Sequence, residues 1–364
     1  MYFKVFDRYI IKEIFISFFV LLLIAITVMT SGNMIKLSEF IINKGVSFGV
    51  VFQLMMFLTP YIISFCVPIS FLIAVLFTYN RLSIDNEITA LKASGISFYK
   101  IIAPVIYLSV IISVISFYFN NKIVPEFSFK MRNLLINIGY EKPEALIEPG
   151  KFINFFNNYI FYFKSMEGEE LRNITIFDMS NPKTVRTITA ERGKVEKNNK
   201  SGILVLKLFD GSAEEPDGSR FYKLKFKVFP IILKMNNETR LIKSKSKSLG
   251  EMNLKELKAE IDSIKTTGED LNDLKAQYYR KIAFSFASFF IVLVGLPLAL
   301  FSKKKEKSAS FGIALVLIVV YYLLLTLGEV VAEQGLIYPI IAMWMPNILA
   351  GIVGIFMIYK VARQ

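Results

Sequence analysis

The hydrophobic positions of this chain fall into long uncharged runs rather than short alternating ones. Between Glu13 and Lys36, Lys44 and Arg81, Lys100 and Lys122, Lys281 and Lys303, Lys307 and Glu329, and Glu333 and Lys360 lie 22, 36, 21, 21, 21 and 26 uncharged residues. A bilayer core about 30 Å thick is crossed by about 20 apolar residues of helix. The pattern therefore predicts six transmembrane helices. The second run is almost long enough to cross twice and contains Pro60 and Pro68. This predicts a kinked helix whose first part lies near the outer interface. The first run is longer than a signal-peptide core and no small-residue cleavage site follows it, so it reads as a true first helix or a signal anchor.

Between the third and fourth runs the period changes. Residues 123–280 form an insert of 158 residues, long enough for a core of its own. Short runs rich in Ile, Val, Phe, Tyr and Thr predict strands at Tyr159–Phe163, Ile174–Phe177, Val185–Ala190, Ile203–Phe209 and Phe221–Phe229. In Tyr222–Val228 apolar and basic residues alternate strictly, as in a half-buried strand. Asn181-Pro182, Asn198-Asn199, Asp210-Gly211 and Asp217-Gly218 read as turns. An antiparallel sandwich or an open barrel fits. From residue 251 the spacing becomes helical at Leu254, Leu257, Ile261 and Ile264, with an interruption expected at Gly268 and a second short helix leading into the fourth span. The expected organisation is residues 1–122 as three spans, 123–250 as a β domain, 251–280 as connecting helices and 281–364 as three spans.

Composition sharpens this picture. Of 364 residues, 54% are hydrophobic and only 20% charged, against about 45–50% and 25% in soluble domains. There is no histidine, which excludes Ser-His-Asp triads and His-containing metal sites. The single cysteine, Cys66, excludes an intrachain disulfide and reads as packing within a span. The net charge of +13 follows topology rather than nucleic acid. With the N-terminus inside, the inner segments carry twelve Lys and Arg, and the two short outer loops carry only Lys36 and Lys44. Positive charge stays inside, so both termini are expected in the cytoplasm and the insert outside it.

The inner loop between the second and third spans reads RLSIDNEITALKASGIS over residues 81–97. Ser83 or Asp85 can cap a helix, Ile84, Ile88 and Leu91 make an apolar stripe, and Gly95 can supply a left-handed stop. This is a short amphipathic helix that either lies on lipid or docks a cytoplasmic partner. No G-x-x-x-x-G-K-[ST] phosphate loop occurs in the sequence, so any ATP and Mg²⁺ would be bound by a partner.

The same loop resembles the coupling segment of the LptF/LptG permeases, the membrane subunits of the lipopolysaccharide-export ABC transporter. The likeness continues along the chain in DRYIIKE at 7–13, NNKIVP at 120–125, ALIEPGKFINFFNNYIFYF at 145–163, TITAERGKV at 187–195, RKIAFSFASFFIVLVGLPLAL at 280–300, YYLLLTLG at 321–328 and AMWMPN at 342–347. The resemblance implies a permease subunit that is not itself an enzyme. Its implied partners are an LptB-like ATPase dimer, a second LptF/LptG-type permease, an LptC-like periplasmic protein and lipopolysaccharide. It implies an inner-membrane location and a periplasmic β-jellyroll-like domain. It places Arg81, Asp85, Glu87, Leu91 and Gly95 against the ATPase, with Glu87 as the acidic contact. Ser31-Gly32, Lys36 and Lys44-Gly45 are similar to the LptG branch, which implies lipid-phosphate contacts at Lys36, Lys44 and Arg132. That branch has a further arginine where this chain has Leu135. Paired cations suit a doubly anionic headgroup, while snorkelling is the common role of such lysines.

Glu329 and Glu333 are expected at the outer interface and Trp344 as an interface anchor or packing residue. Phe152, Phe161, Phe163, Leu206 and Phe226 are candidates for the inner face of the insert. Three rival classes remain: another lipid or lipoprotein exporter, an integral membrane enzyme, and a sensor with an extracytoplasmic domain. A six-helix count disfavours the first, the lack of histidine and of clustered intramembrane carboxylates the second, and the amphipathic loop the third.

Overall fold

The computed structural model describes residues 2–42, 45–141, 150–156, 159–167, 170–181, 184–198, 203–217, 220–234, 247–265, 271–301 and 307–363. Helices α1 (Tyr2–Ile42), α2 (Phe48–Ile84), α3 (Glu87–Ala93) and α4 (Phe98–Tyr118) lead through a π-helical turn (Phe119–Ile123) into α5 (Val124–Glu141). Six strands follow: β1 (Ile153–Phe156), β2 (Tyr159–Glu167), β3 (Glu170–Asn181), β4 (Thr184–Asn198), β5 (Ile203–Asp217) and β6 (Arg220–Lys234). A 3-10 turn (Leu249–Glu251) then precedes α6 (Leu254–Ile264), α7 (Asn272–Ser285), α8 (Ala287–Phe301), α9 (Lys307–Glu333) and α10 (Pro339–Ala362). Met1–Ile41, Ser47–Arg132 and Lys247–Gln364 form one compact unit, and Ile42–Val46 with Asn133–Ser246 form the other.

The first unit is a helical bundle. Among the described residues five helices are long and apolar enough to cross a membrane, and α7 with α8 makes a sixth if that bent pair is one span. The sequence places the start of that span at Lys281. The helix in fact begins at Asn272 and runs to Ser285, where it turns by 45° into α8. Pro60 and Pro68 both lie inside the single helix α2. The bundle core gathers on the second half of α2, where Phe71, Leu72, Ala74, Val75, Leu76 and Tyr79 are fully buried against Ile101 and Val105 of α4 and Val292 and Leu296 of α8. Glycines bring the late helices close. A Cβ on Gly354 of α10 would lie 2.6 Å from the Leu293 carbonyl carbon of α8, and one on Gly328 of α9 2.6 Å from the Ala342 carbonyl oxygen of α10. Such backbone approach is how helices pack where lipid removes the hydrophobic drive. Among its described side chains, helix α1 buries Ile10, Ile14 and Phe18, a single stripe, and leaves apolar residues from Phe15 to Val28 exposed.

The second unit is one antiparallel meander in the order β1-β2-β3-β4-β5-β6. An inserted all-β domain is thus present, and its strands pair in chain order. Its core holds Phe161, Phe163, Ile174, Ile176, Ile188, Leu206, Leu208 and Ile231. The alternation that fills this face changes phase part-way along. In β5 the buried residues are Leu206 and Leu208, then Ala213; in β3 they are Leu171, then Ile174 and Ile176. The phase changes at Asp210 and Asn173, whose φ values are 53° and 51°. A left-handed residue shifts the side-chain period by one, so a single face stays apolar on both sides of the line. Asp210-Gly211 is therefore not a turn but an irregularity within β5. Gly211 is required there, because a Cβ would lie 2.2 Å from the Thr189 carbonyl oxygen.

Two other expectations change. Tyr222, Leu224 and Val228 of β6 are exposed, because β6 is the last strand; among its described side chains Phe226, Phe229 and Ile231 reach the core cluster. Phe152 is 68% exposed and stacks on Tyr162 instead of facing inward. Of the expected turns, Pro182, Asn199 and Gly218 lie outside the described residues, as does Gly268.

Candidate functional site

Residues 81–97 fold as a tight helical hairpin insertion that contains the expected short helix. Arg81, Ser83 and Ile84 belong to the last turn of α2, and α3 spans only seven residues. Neither Ser83 nor Asp85 caps it. Asn86, at φ 57°, takes the N-cap position, a conformation that Asn tolerates better than other non-glycine residues. The C-terminal end follows the sequence signal. Gly95 has φ 83°, its N–H donates to the Lys92 carbonyl at 3.0 Å, and the Ile96 N–H donates to the Leu91 carbonyl at 3.1 Å. These two bonds make a Schellman stop. Ile88 is buried and Leu91 and Ile96 pack against the bundle core. The outward face presents Asp85, Asn86, Thr89, Ala90 and Ala93, with Glu87 half-buried beside them.

This hairpin is fastened to the spans beside it. The Tyr79 hydroxyl donates to the Ile101 carbonyl at 2.8 Å, tying α2 to α4. Arg81 turns away from α3 toward α1, where it pairs with Glu13 at 2.5 Å and donates to the Tyr9 hydroxyl at 2.6 Å. Tyr9 and Glu13 are four residues apart and so share one face of α1. The sequence reading missed both partners. Their only signal was a carboxylate and a phenol on one helical face near the end of a span.

The structure describes the three candidate cations unequally. Lys36 lies in α1, and its side chain is not among those described; Lys44 lies outside the described residues. Arg132 lies in α5, and its Nε donates to both Glu251 carboxylate oxygens at 2.7 and 2.8 Å. Glu251 is buried and also accepts the Ser248 N–H at 2.9 Å, capping the 3-10 turn. The Arg132 guanidinium stacks 5.5 Å from the Phe129 ring, over which Lys247 also sits at 5.5 Å. Lys247 pairs with Glu256, the Lys281 ammonium donates to the Gly250 carbonyl at 2.9 Å, and the Leu254 N–H donates to Asn121. These bonds form a collar of cross-links, within the first unit, between residues 121–132 and 247–281. Glu329 belongs to a neighbouring clamp, pairing with Arg280 at 3.1 Å and accepting from Gln277 at 2.8 Å. Trp344 packs near Phe286 and Phe290, and Cys66 is fully buried.

A bundle of apolar spans and an inserted antiparallel β sheet after the third of them define a polytopic helical membrane protein with a β domain. The family described as lipopolysaccharide export system permease LptF/LptG matches residues 8–360, and the chain belongs to it. The chain is also 24% identical over 301 residues to the uncharacterized protein RP871 of Rickettsia prowazekii (strain Madrid E), which covers 81% of each chain.

Proposed function

We propose that this subunit extracts lipopolysaccharide from the inner membrane and passes it toward a periplasmic bridge, driven by ATP hydrolysis in a separate LptB-like ATPase dimer. The observation that carries the reading is the hairpin of residues 81–97. Its inner side is locked into α1, α2 and α4, and its outer side is a small, polar, unpartnered face among the described residues. Such an element transmits a push without bending. Its exposed residues are small enough for a partner's groove to close over them. The hairpin end is then cytoplasmic, and the inserted β domain is periplasmic. The long exposed apolar stripe of α1 fits a cavity shared with a second LptF/LptG-type permease. An LptC-like protein receives the lipid. In this reading Lys36, Lys44 and Arg132 meet the lipid phosphates, Arg132 by exchanging Glu251 for the ligand.

Glu87→Arg reverses the charge at the start of α3 without touching the buried stripe. The purified complex of this variant is expected to keep its subunits but lose at least tenfold in lipid export per ATP hydrolysed. Normal export by an assembled Glu87→Arg complex would remove the hairpin from the coupling path.

A further inference from the structure

The α7–α8 bend has no proline or glycine at its vertex; the residues there read Ala283-Phe284-Ser285-Phe286-Ala287. Sharp helix bends need a cause, and one such cause is a side chain inserted into the backbone ladder. One buried asparagine supplies it, and a second bonds a side chain at the vertex. From α10, Asn347, which is 0% exposed, donates its Nδ2 to the Ala283 carbonyl at 2.8 Å and accepts from the Tyr321 hydroxyl at 3.0 Å. That carbonyl also takes the Phe286 N–H at 3.2 Å, a tightened last turn. From the π-helical turn after α4, Asn120 donates its Nδ2 to the Ser285 hydroxyl at 3.3 Å and accepts from the Ser64 hydroxyl at 2.5 Å. Ser285 in turn donates to the Lys281 carbonyl at 2.7 Å.

The two attachments differ in kind. Asn347 sits in a block, because α8, α9 and α10 approach backbone to backbone at Gly354 and Gly328. Asn120 sits on a π turn, which holds one residue more than an α turn and recurs where helices change register. Its partners are two hydroxyls, which rotate freely to new acceptors. Above the bend, α7 is bonded into the collar through Lys281 and to α9 through Arg280 and Gln277. Buried polar groups inside a span are costly and mark working parts.

We infer that the α7–α8 bend is the flexing joint of this subunit, with Asn347 as its pivot and Asn120 as its release, and that it carries motion of the bundle to the collar. The inference rests on the export reading only for what drives the motion. When the Asn120–Ser285 bond breaks, the joint opens toward a straight helix about Asn347. Both asparagines are positioning residues and touch no lipid in this account.

The test uses the whole purified complex in nanodiscs, with Cys66→Ala and spin labels on Asp273→Cys and Leu298→Cys. At 1.5 Å per residue, arms of about 19 and 18 Å give a separation of about 34 Å when bent by 45° and about 37 Å when straight. Asn347→Leu without nucleotide is expected to lengthen the distance by about 3 Å. Tyr321→Phe, the milder variant, is expected to broaden the distribution in the same direction. Trapping with ATP and vanadate is expected to lengthen the distance in the otherwise unmodified complex, and Asn120→Leu to lengthen it already without nucleotide, leaving no further response to trapping while the subunits still co-purify. An unchanged distance in both Asn347→Leu and Tyr321→Phe overturns the joint. So does a distance that stays fixed on trapping while the ATPase is turning over. If no ATPase co-purifies, the export reading fails, and the nucleotide-free arm still decides the joint.

Discussion

Single residues decide three features of this chain, and each admits a direct check. Gly211 sits where a side chain would strike the Thr189 carbonyl and the Phe226 ring. Gly211→Ala is expected to destabilise the β domain by about 2 kcal/mol, the scale of overpacking a filled site, read as a lower unfolding temperature or easier proteolysis within the insert. Arg132 is held by a buried carboxylate, so its charge is already answered. Glu251→Gln weakens that hold and is expected to raise the affinity of the complex for lipopolysaccharide several-fold, whereas Arg132→Ala lowers it. No change with either variant in a lipid-binding titration would take Arg132 out of the lipid path. Arg81 resembles a partner contact in the sequence, yet it faces α1. Glu13→Gln is expected to loosen α1 from the hairpin, read as faster amide exchange around Tyr9, with the ATPase still bound.

At the level of elements, the sequence spoke most clearly where local chemistry acts alone. The Schellman stop at Gly95 and the buried stripe of α6 were both legible, because a glycine after an amphipathic run and a period of 3.6 need no tertiary help. Leu257 and Ile261 are buried as that period requires. Asn253 caps α6, accepting the Lys255 and Glu256 N–H groups at 2.9 and 3.0 Å. Asn253→Ala is expected to cost about 1 kcal/mol. Glu256 completes the capping box and pairs with Lys247. Burial works against its ionised form, but the Lys247 hydrogen bond, the Asn253 N–H and the charges of Lys247 and Lys281 outweigh it, leaving its carboxyl below the ordinary range. A depressed carboxyl stabilises above its unfolded value and loses that contribution as pH falls through its folded value. The melting-temperature gap between the parent chain and Glu256→Gln is therefore expected to be full at pH 7 and to shrink away as pH falls through and below the ordinary carboxylate range. The Asp210-Gly211 pair was read as a turn because left-handed residues usually make turns. Here one shifts the phase of a continuing strand, and only its neighbours on β4 and β6 reveal that.

For the whole molecule, the length of the uncharged runs determined that the chain crosses a membrane about six times, since a bilayer reads length and hydrophobicity directly. The change of period after residue 123 determined that a β domain interrupts the helices. The motif order along the chain pointed to the permease family that residues 8–360 match. Tertiary structure alone decided the rest. The 45° bend of α7–α8 carries no proline or glycine signal, because its cause is an amide arriving from a helix some sixty residues later. The Arg81–Glu13 and Arg132–Glu251 pairs join residues 68 and 119 positions apart, so no local pattern marks them. Hydrophobic period is a property of neighbouring residues and survives in the sequence. Partner choice for a charge or a buried amide depends on which helices pack side by side, and that is settled only when the bundle forms.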